Sequence, residues 1–117
     1  MELDQQILQL IVSKANRMHK MSRGECLDMA KAIVNGQRNL IYGKPEDSFQ
    51  SIAELWNAYL NAKEPDIETC LSGHDVAIMM SLFKIGRIAC SDEYHRDNYV
   101  DGCGYLALAD DMADENG

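Results

Sequence analysis

Apolar residues recur every three to four positions along most of this chain, and that period predicts helices. Leu3, Ile7, Leu8, Ile11, Val12, Ala15 and Met18 form one amphipathic stripe over 3–19. Ser22-Arg23-Gly24-Glu25 has the spacing of a capping box, in which hydroxyl and carboxylate satisfy the orphan amides of a helix start. A second helix opens there and runs to about Val34, where Asn35-Gly36 stops it. The period lapses from 37 to 48, where Tyr42-Gly43-Lys44-Pro45 carries the chemistry of a turn. It resumes through Phe49, Ile52, Ala53, Trp56, Tyr59 and Leu60 as a third helix, followed by a polar connection over 61–72 that contains Pro65.

Ser72 and Asp75 repeat the helix-start spacing and open a fourth helix over 73–90. It is apolar nearly all round, with Asp75, Lys84 and Arg87 its only charges, which predicts a central position or cover from a second subunit. After a short turn, a fifth helix spans 96–112 through Tyr99, Val100, Tyr105, Leu106 and Leu108. Period-two alternation and hairpin dipeptides are missing, so no strand competes. The expected fold is all-α: a single-domain bundle of about five helices, forming a homo-oligomer. Residues 1–20 would be an N-terminal amphipathic helix, 21–112 the bundle and 113–117 an acidic tail.

Composition narrows the function. A chain of 117 residues with 46% hydrophobic and 26% charged residues suits one folded core. The net charge of −8 argues against a nucleic-acid partner, because phosphate backbones need clustered Lys and Arg. Asp110, Asp111, Asp114 and Glu115 hold half of that charge, so the body remains able to take a small anion. Cys26, Cys70, Cys90 and Cys103 are too far apart for a C-x-x-C motif and read as buried thiols. No secretory signal and no membrane-length apolar run is present, and the expected location is the cytoplasm.

Chemistry gathers at the last two helices. Lys84 and Arg87 emerge three apart from a greasy helix, and half-buried cations need either carboxylate partners or an anion, most naturally phosphate. Asp97, Asp101 and Tyr105 recur every four residues and share one face, with Glu93, His95 and Arg96 at its entrance. Two carboxylates one turn apart make half of a magnesium site, although acids at this spacing also occur on ordinary solvated faces. Glu25 and Asp28 are a second acid pair, relevant if the second helix meets the fifth. His19 and His74 stand at helix boundaries as solvated or capping residues, and no catalytic triad, Gly-rich phosphate loop or H-E-x-x-H is present.

In order along the chain come Arg38, Tyr42-Gly43, Pro45-Glu46-Asp47-x-Phe49, Ile52-Ala53-x-x-Trp56, Asp75-Val76-Ala77-x-Met79-Met80 and Lys84-Ile85-x-Arg87. His95-Arg96-Asp97-Asn98-x-x-Asp101-x-x-Gly104-Tyr105 completes the series. This pattern, over about 22–109, resembles a family of small phage and prophage proteins, which is similar more distantly to all-α nucleotide pyrophosphohydrolases of the MazG and dUTPase type. The resemblance implies Mg²⁺ held by Glu25, Asp28, Asp97 and Asp101, and His95, Asp97 and Asp101 as catalytic residues. It also implies a nucleoside phosphate met by Arg38, Tyr42, Trp56, Lys84, Arg87, Arg96, Asn98 and Tyr105, in a host cytoplasm. The enzyme signature pairs an E-x-x-E with a later E-x-x-D. Here Glu25-x-x-Asp28 keeps an acid pair, whereas the last helix offers Asp97 and Asp101 four apart and no glutamate. The alternatives are a non-catalytic oligomer that sequesters a nucleotide, and a structural scaffold whose ion pairs join the last two helices.

Overall fold

The computed structural model describes residues 4–9, 20–36 and 43–113. Residues 4–9 are helical and form α1. The remaining described helices are α2 (Arg23–Val34), α3 (Pro45–Lys63), α4 (Gly73–Cys90) and α5 (Arg96–Met112), and no strand occurs among the described residues. The all-helical expectation holds for these residues. Most of the stripe expected over 3–19 lies outside them.

The helix starts follow from local chemistry. Ser72 and Asp75 form the full capping box at α4: the Ser72 amide donates to the Asp75 carboxylate at 2.9 Å, and the Asp75 amide donates to the Ser72 hydroxyl at 3.3 Å. At α2 the Ser22 hydroxyl accepts from the Glu25 amide at 3.1 Å. Helix α3 begins four residues before the start expected at Phe49. Pro45, read from the sequence as part of a turn, occupies the first helical turn, where a missing N–H costs nothing and its fixed φ suits the helix. Glu46 and Asp47 follow it and complement the positive end of the helix dipole.

The connection after α3 is strapped back along that helix. Asn57 donates to the Leu71 carbonyl at 2.9 Å and accepts from the Leu71 amide at 2.8 Å. One turn further on, the Asn61 carbonyl accepts from the Thr69 amide at 3.0 Å and from the Thr69 hydroxyl at 2.9 Å. Gln50 accepts from the amide of Gly73 at 3.2 Å, which brings the start of α4 against α3. A Cβ on Gly73 would lie 3.2 Å from the Gln50 nitrogen and 3.4 Å from the Phe49 carbonyl carbon, so any side chain here would push the α3 backbone back by a few tenths of an ångström.

Helix α5 is the hub: it packs along α4 and also against α2, while α3 packs on α4. One buried cluster, Met21, Ala30 and Val100 with Cys26, Met29 and Cys103 against it, joins α2 to α5. Ala53, Val76, Ala77 and Ala109 bury the other contacts, and the largest fully buried side chains are Val76 and Val100. Two expectations change. Cys26 and Cys103 are partly buried, but Cys70 and Cys90 are exposed, because each lies at or beyond a helix end where packing has thinned. Among the described residues, helix α4 packs against α3 and α5, and Leu82, Phe83 and Ile85 are exposed. No helix of the described residues is long and apolar enough to cross a membrane.

Candidate functional site

Helices α2, α3 and α5 enclose a cleft of about 450 Å³. Its walls come from Ile33 and Val34 at the end of α2, Pro45, Ser48, Phe49 and Ile52 in the first turns of α3, and Val100, Asp101, Gly104, Tyr105 and Leu108 of α5. The sequence explains this arrangement. Gly104 lets α2 come so close that a Cβ there would meet Val34 Cγ1 at 3.3 Å, and the extra turn supplied by Pro45 carries Phe49 over α5. The Phe49 and Tyr105 rings lie 6.1 Å apart at 38°, a tilted aromatic pair on the cleft wall.

Asp101 is the one carboxylate among the described lining residues, and Lys84 holds it. The ammonium and carboxylate are 2.9 Å apart, with side-chain exposures of 15% and 23%. Ser81 adds a second tie between the same helices by donating its hydroxyl to the Gly102 carbonyl at 3.0 Å. These contacts fix the register of α4 against α5. They also realise, for Asp101, the carboxylate partner that the sequence offered as one fate of Lys84.

The remaining expected site residues are dispersed. Asp97 is exposed, one turn before Asp101 on the same face of α5, and Arg96 is exposed beside it. His95 is the N-cap of α5 but makes no side-chain capping bond, while Asn98 is buried. Arg87 lays its guanidinium 5.8 Å from the Phe83 ring centre. Trp56 is half-buried on α3, away from the cleft lining; Glu25 and Asp28 are exposed on α2. Arg38, Tyr42 and His19 lie outside the described residues.

No group of three or more His, Cys, Asp or Glu side chains among the described residues is placed to hold a metal ion. As they stand, the four expected acids do not form a preassembled cage. Sequence reasoning missed the cleft itself. Its signal was the Pro45-to-Phe49 stretch, which was legible as a motif but not as a wall.

The comparisons with known proteins agree on one point. A family model described as a domain of unknown function, DUF6378, matches residues 25–113. The "Gene 55 protein" of Mycobacterium phage D29 is 36% identical over 89 residues, which is 76% of this chain and 54% of that protein. The chain thus spans about half the length of this relative. No solved structure matches significantly.

Proposed function

On the premise that the chain belongs to the DUF6378 family and has a phage protein among its relatives, we propose that it binds a nucleoside phosphate in the cleft between α2, α3 and α5. The observation that carries this reading is the cleft lining. Two residues singled out from the sequence, Asp101 and Tyr105, line the same apolar cavity, and Phe49 faces Tyr105 there. A volume of about 450 Å³ lies within the range of small-molecule sites, roughly 300–1,000 Å³. A base has an apolar face for the aromatic wall and polar edges for the Ser48 hydroxyl, the Tyr105 hydroxyl and the Asp101 carboxylate.

The phosphate end would run toward the start of α5. From Asp101 to Asp97, on the same face, is four residues, about 6 Å of helix rise, within reach of a nucleotide's length. Lys84, 2.9 Å from Asp101, is the cation at hand there, and the positive end of the α5 dipole adds to it. Magnesium belongs to this reading as a companion of the phosphates, since it is commonly held by one or two carboxylates, waters and substrate oxygens. Asp97 is the exposed carboxylate placed for that role. The ion would neutralise phosphate charge. Cleavage asks more: His95 or Asp97 would have to position a water against phosphorus.

The test is calorimetric titration of the protein with nucleoside mono-, di- and triphosphates, with and without Mg²⁺, alongside an assay for released pyrophosphate. Binding with an unchanged ligand identifies a sequestering protein; binding with pyrophosphate release identifies a hydrolase. Tyr105→Ala should weaken binding by about tenfold, the lower end of what aromatic stacking on a base contributes. Failure of every nucleotide to bind removes the proposal. The Lys84–Asp101 pair favours a second reading, in which this region is a scaffold joining α4 to α5. That reading expects no ligand, and only stability losses from changes at Asp101.

A further inference from the structure

Two of the four cysteines meet in space although they stand far apart in the chain. Cys26 lies near the start of α2 and Cys103 midway along α5, and both pack against the buried cluster of Met21, Ala30 and Val100. Their thiols lie within hydrogen-bonding reach of each other, and both residues are partly buried. Small residues allow the approach: Ala30 is buried in the contact, and Gly104 leaves room for Val34 Cγ1. Cys26 and Val34 are eight residues apart, about 12 Å of helix rise, yet they meet the adjacent residues Cys103 and Gly104. Helix α2 therefore crosses α5 steeply, and few side chains hold the crossing.

The other two cysteines are remote from this contact. Cys70 precedes α4 and Cys90 ends it, with about 25 Å of helix between Gly73 and Cys90. Ser81 donates to the carbonyl of Gly102, which marks the level of Cys103 on α4. Cys90 lies nine residues from that level, about 13.5 Å, and Gly73 eight residues on the other side, about 12 Å. A disulfide tolerates Cα atoms at most roughly 7 Å apart, so neither Cys70 nor Cys90 reaches Cys103 or the other.

We infer that Cys26 and Cys103 are a site of reversible oxidation, closing a disulfide that clasps α2 to α5. A peroxide is the oxidant class that balances the step. One thiolate attacks a peroxide oxygen, the O–O bond breaks, and the sulfur becomes a sulfenic acid while the leaving oxygen takes up a proton and departs as water. The second sulfur then gives up its proton and attacks the sulfenic sulfur; the S–S bond forms, the S–O bond breaks and a second water leaves. Two thiols and one hydrogen peroxide give one disulfide and two waters, and the sulfurs lose the two electrons that the peroxide gains. Burial and the neighbouring Cys103 hold the proton on Cys26, so the first attack falls to Cys103 and Cys26 resolves it. The resolving step joins groups already in contact, which favours it over capture by a second molecule.

The bridge ties positions 26 and 103, and a tie across so long a stretch of chain removes much freedom from the unfolded state. It also fixes Ile33 and Val34 of α2, which wall the cleft, against Val100 and Gly104 of α5. One wall of the cleft then answers to redox state, whatever the cleft binds.

Mass mapping of the full chain tests this. After treatment with hydrogen peroxide and alkylation of the remaining thiols, a non-reducing digest should contain a peptide pair joined through Cys26 and Cys103, which dithiothreitol releases. The bridged chain should gain on the order of 10 °C in thermal midpoint. Amides of α2 should exchange about tenfold more slowly or better. Cys26→Ser and Cys103→Ser should each lose the midpoint rise under peroxide, whereas Cys70→Ser combined with Cys90→Ser should keep it. Absence of the joined pair under conditions that oxidise Cys70 and Cys90 overturns the inference, and so does a bridge that leaves the midpoint and α2 exchange unchanged. If Cys26→Ser fails to fold, Cys103→Ala decides the same point.

Discussion

Cys26 shows how position sets the chemistry of one atom. Burial in the α2–α5 contact raises its thiol above the usual range, and the neighbouring Cys103 raises it further. A raised pKa leaves less thiolate at neutral pH, and thiolate is the reactive form. Cys70 and Cys90, both exposed, should therefore react first with a thiol reagent at neutral pH, and Cys26 should label only as pH rises or the chain unfolds. Counting labelled sites by mass spectrometry checks the order. Equal rates at all four would mean that α2 does not stay docked on α5.

Lys84 and Asp101 make the second residue-scale case. Their pair is half-buried, so removing one partner strands a charge that water only partly reaches. Lys84→Met and Asp101→Asn should each lower stability by about 1–2 kcal/mol, between the worth of surface and buried pairs. The double variant Lys84→Met with Asp101→Leu should recover most of the loss. Chemical denaturation of the four proteins measures these differences. The i and i+4 spacing of Asp97 and Asp101 could not distinguish them. The structure does: one is engaged across a helix contact and the other faces solvent.

Among the elements, the stretch after α3 is the clearest product of side-chain chemistry. Asn57 satisfies both the amide and the carbonyl of Leu71, and nothing apolar replaces that service. Asn57→Ala should cost about 1–3 kcal/mol, because two part-buried backbone groups lose their partners. Gly73→Ala should also destabilise, by about 1 kcal/mol or more, since the added methyl would press on α3 backbone that cannot swing aside. Both are read from shifts in thermal midpoint. Helix extents, by contrast, were largely legible beforehand. The Ser72–Asp75 box, the Asn35-Gly36 stop and the apolar period act within a few residues, so a linear reading finds them. The start of α3 was misread because Pro45 suits both a turn and a first helical turn, and only its neighbours' hydrogen bonds decide which.

For the whole molecule, the cleft carries the functional reading, with a proposed nucleoside phosphate. Tyr105→Ala should weaken nucleotide binding with the helical circular dichroism of the chain kept. The amino-acid sequence alone determined the all-helical class, the places where four of the helices run, the family pattern from Arg38 to Tyr105 and the acidic residues available. Each of these depends on neighbours a few positions away. Tertiary structure alone decided that Asp101 is bound to Lys84, that Phe49 and Tyr105 share a cavity, and that, among the described residues, Leu82, Phe83 and Ile85 of α4 are exposed. Those outcomes depend on the register and approach of helices distant in the chain, set by contacts such as Val34 on Gly104 and Ser81 on Gly102, which no spacing within a single helix encodes.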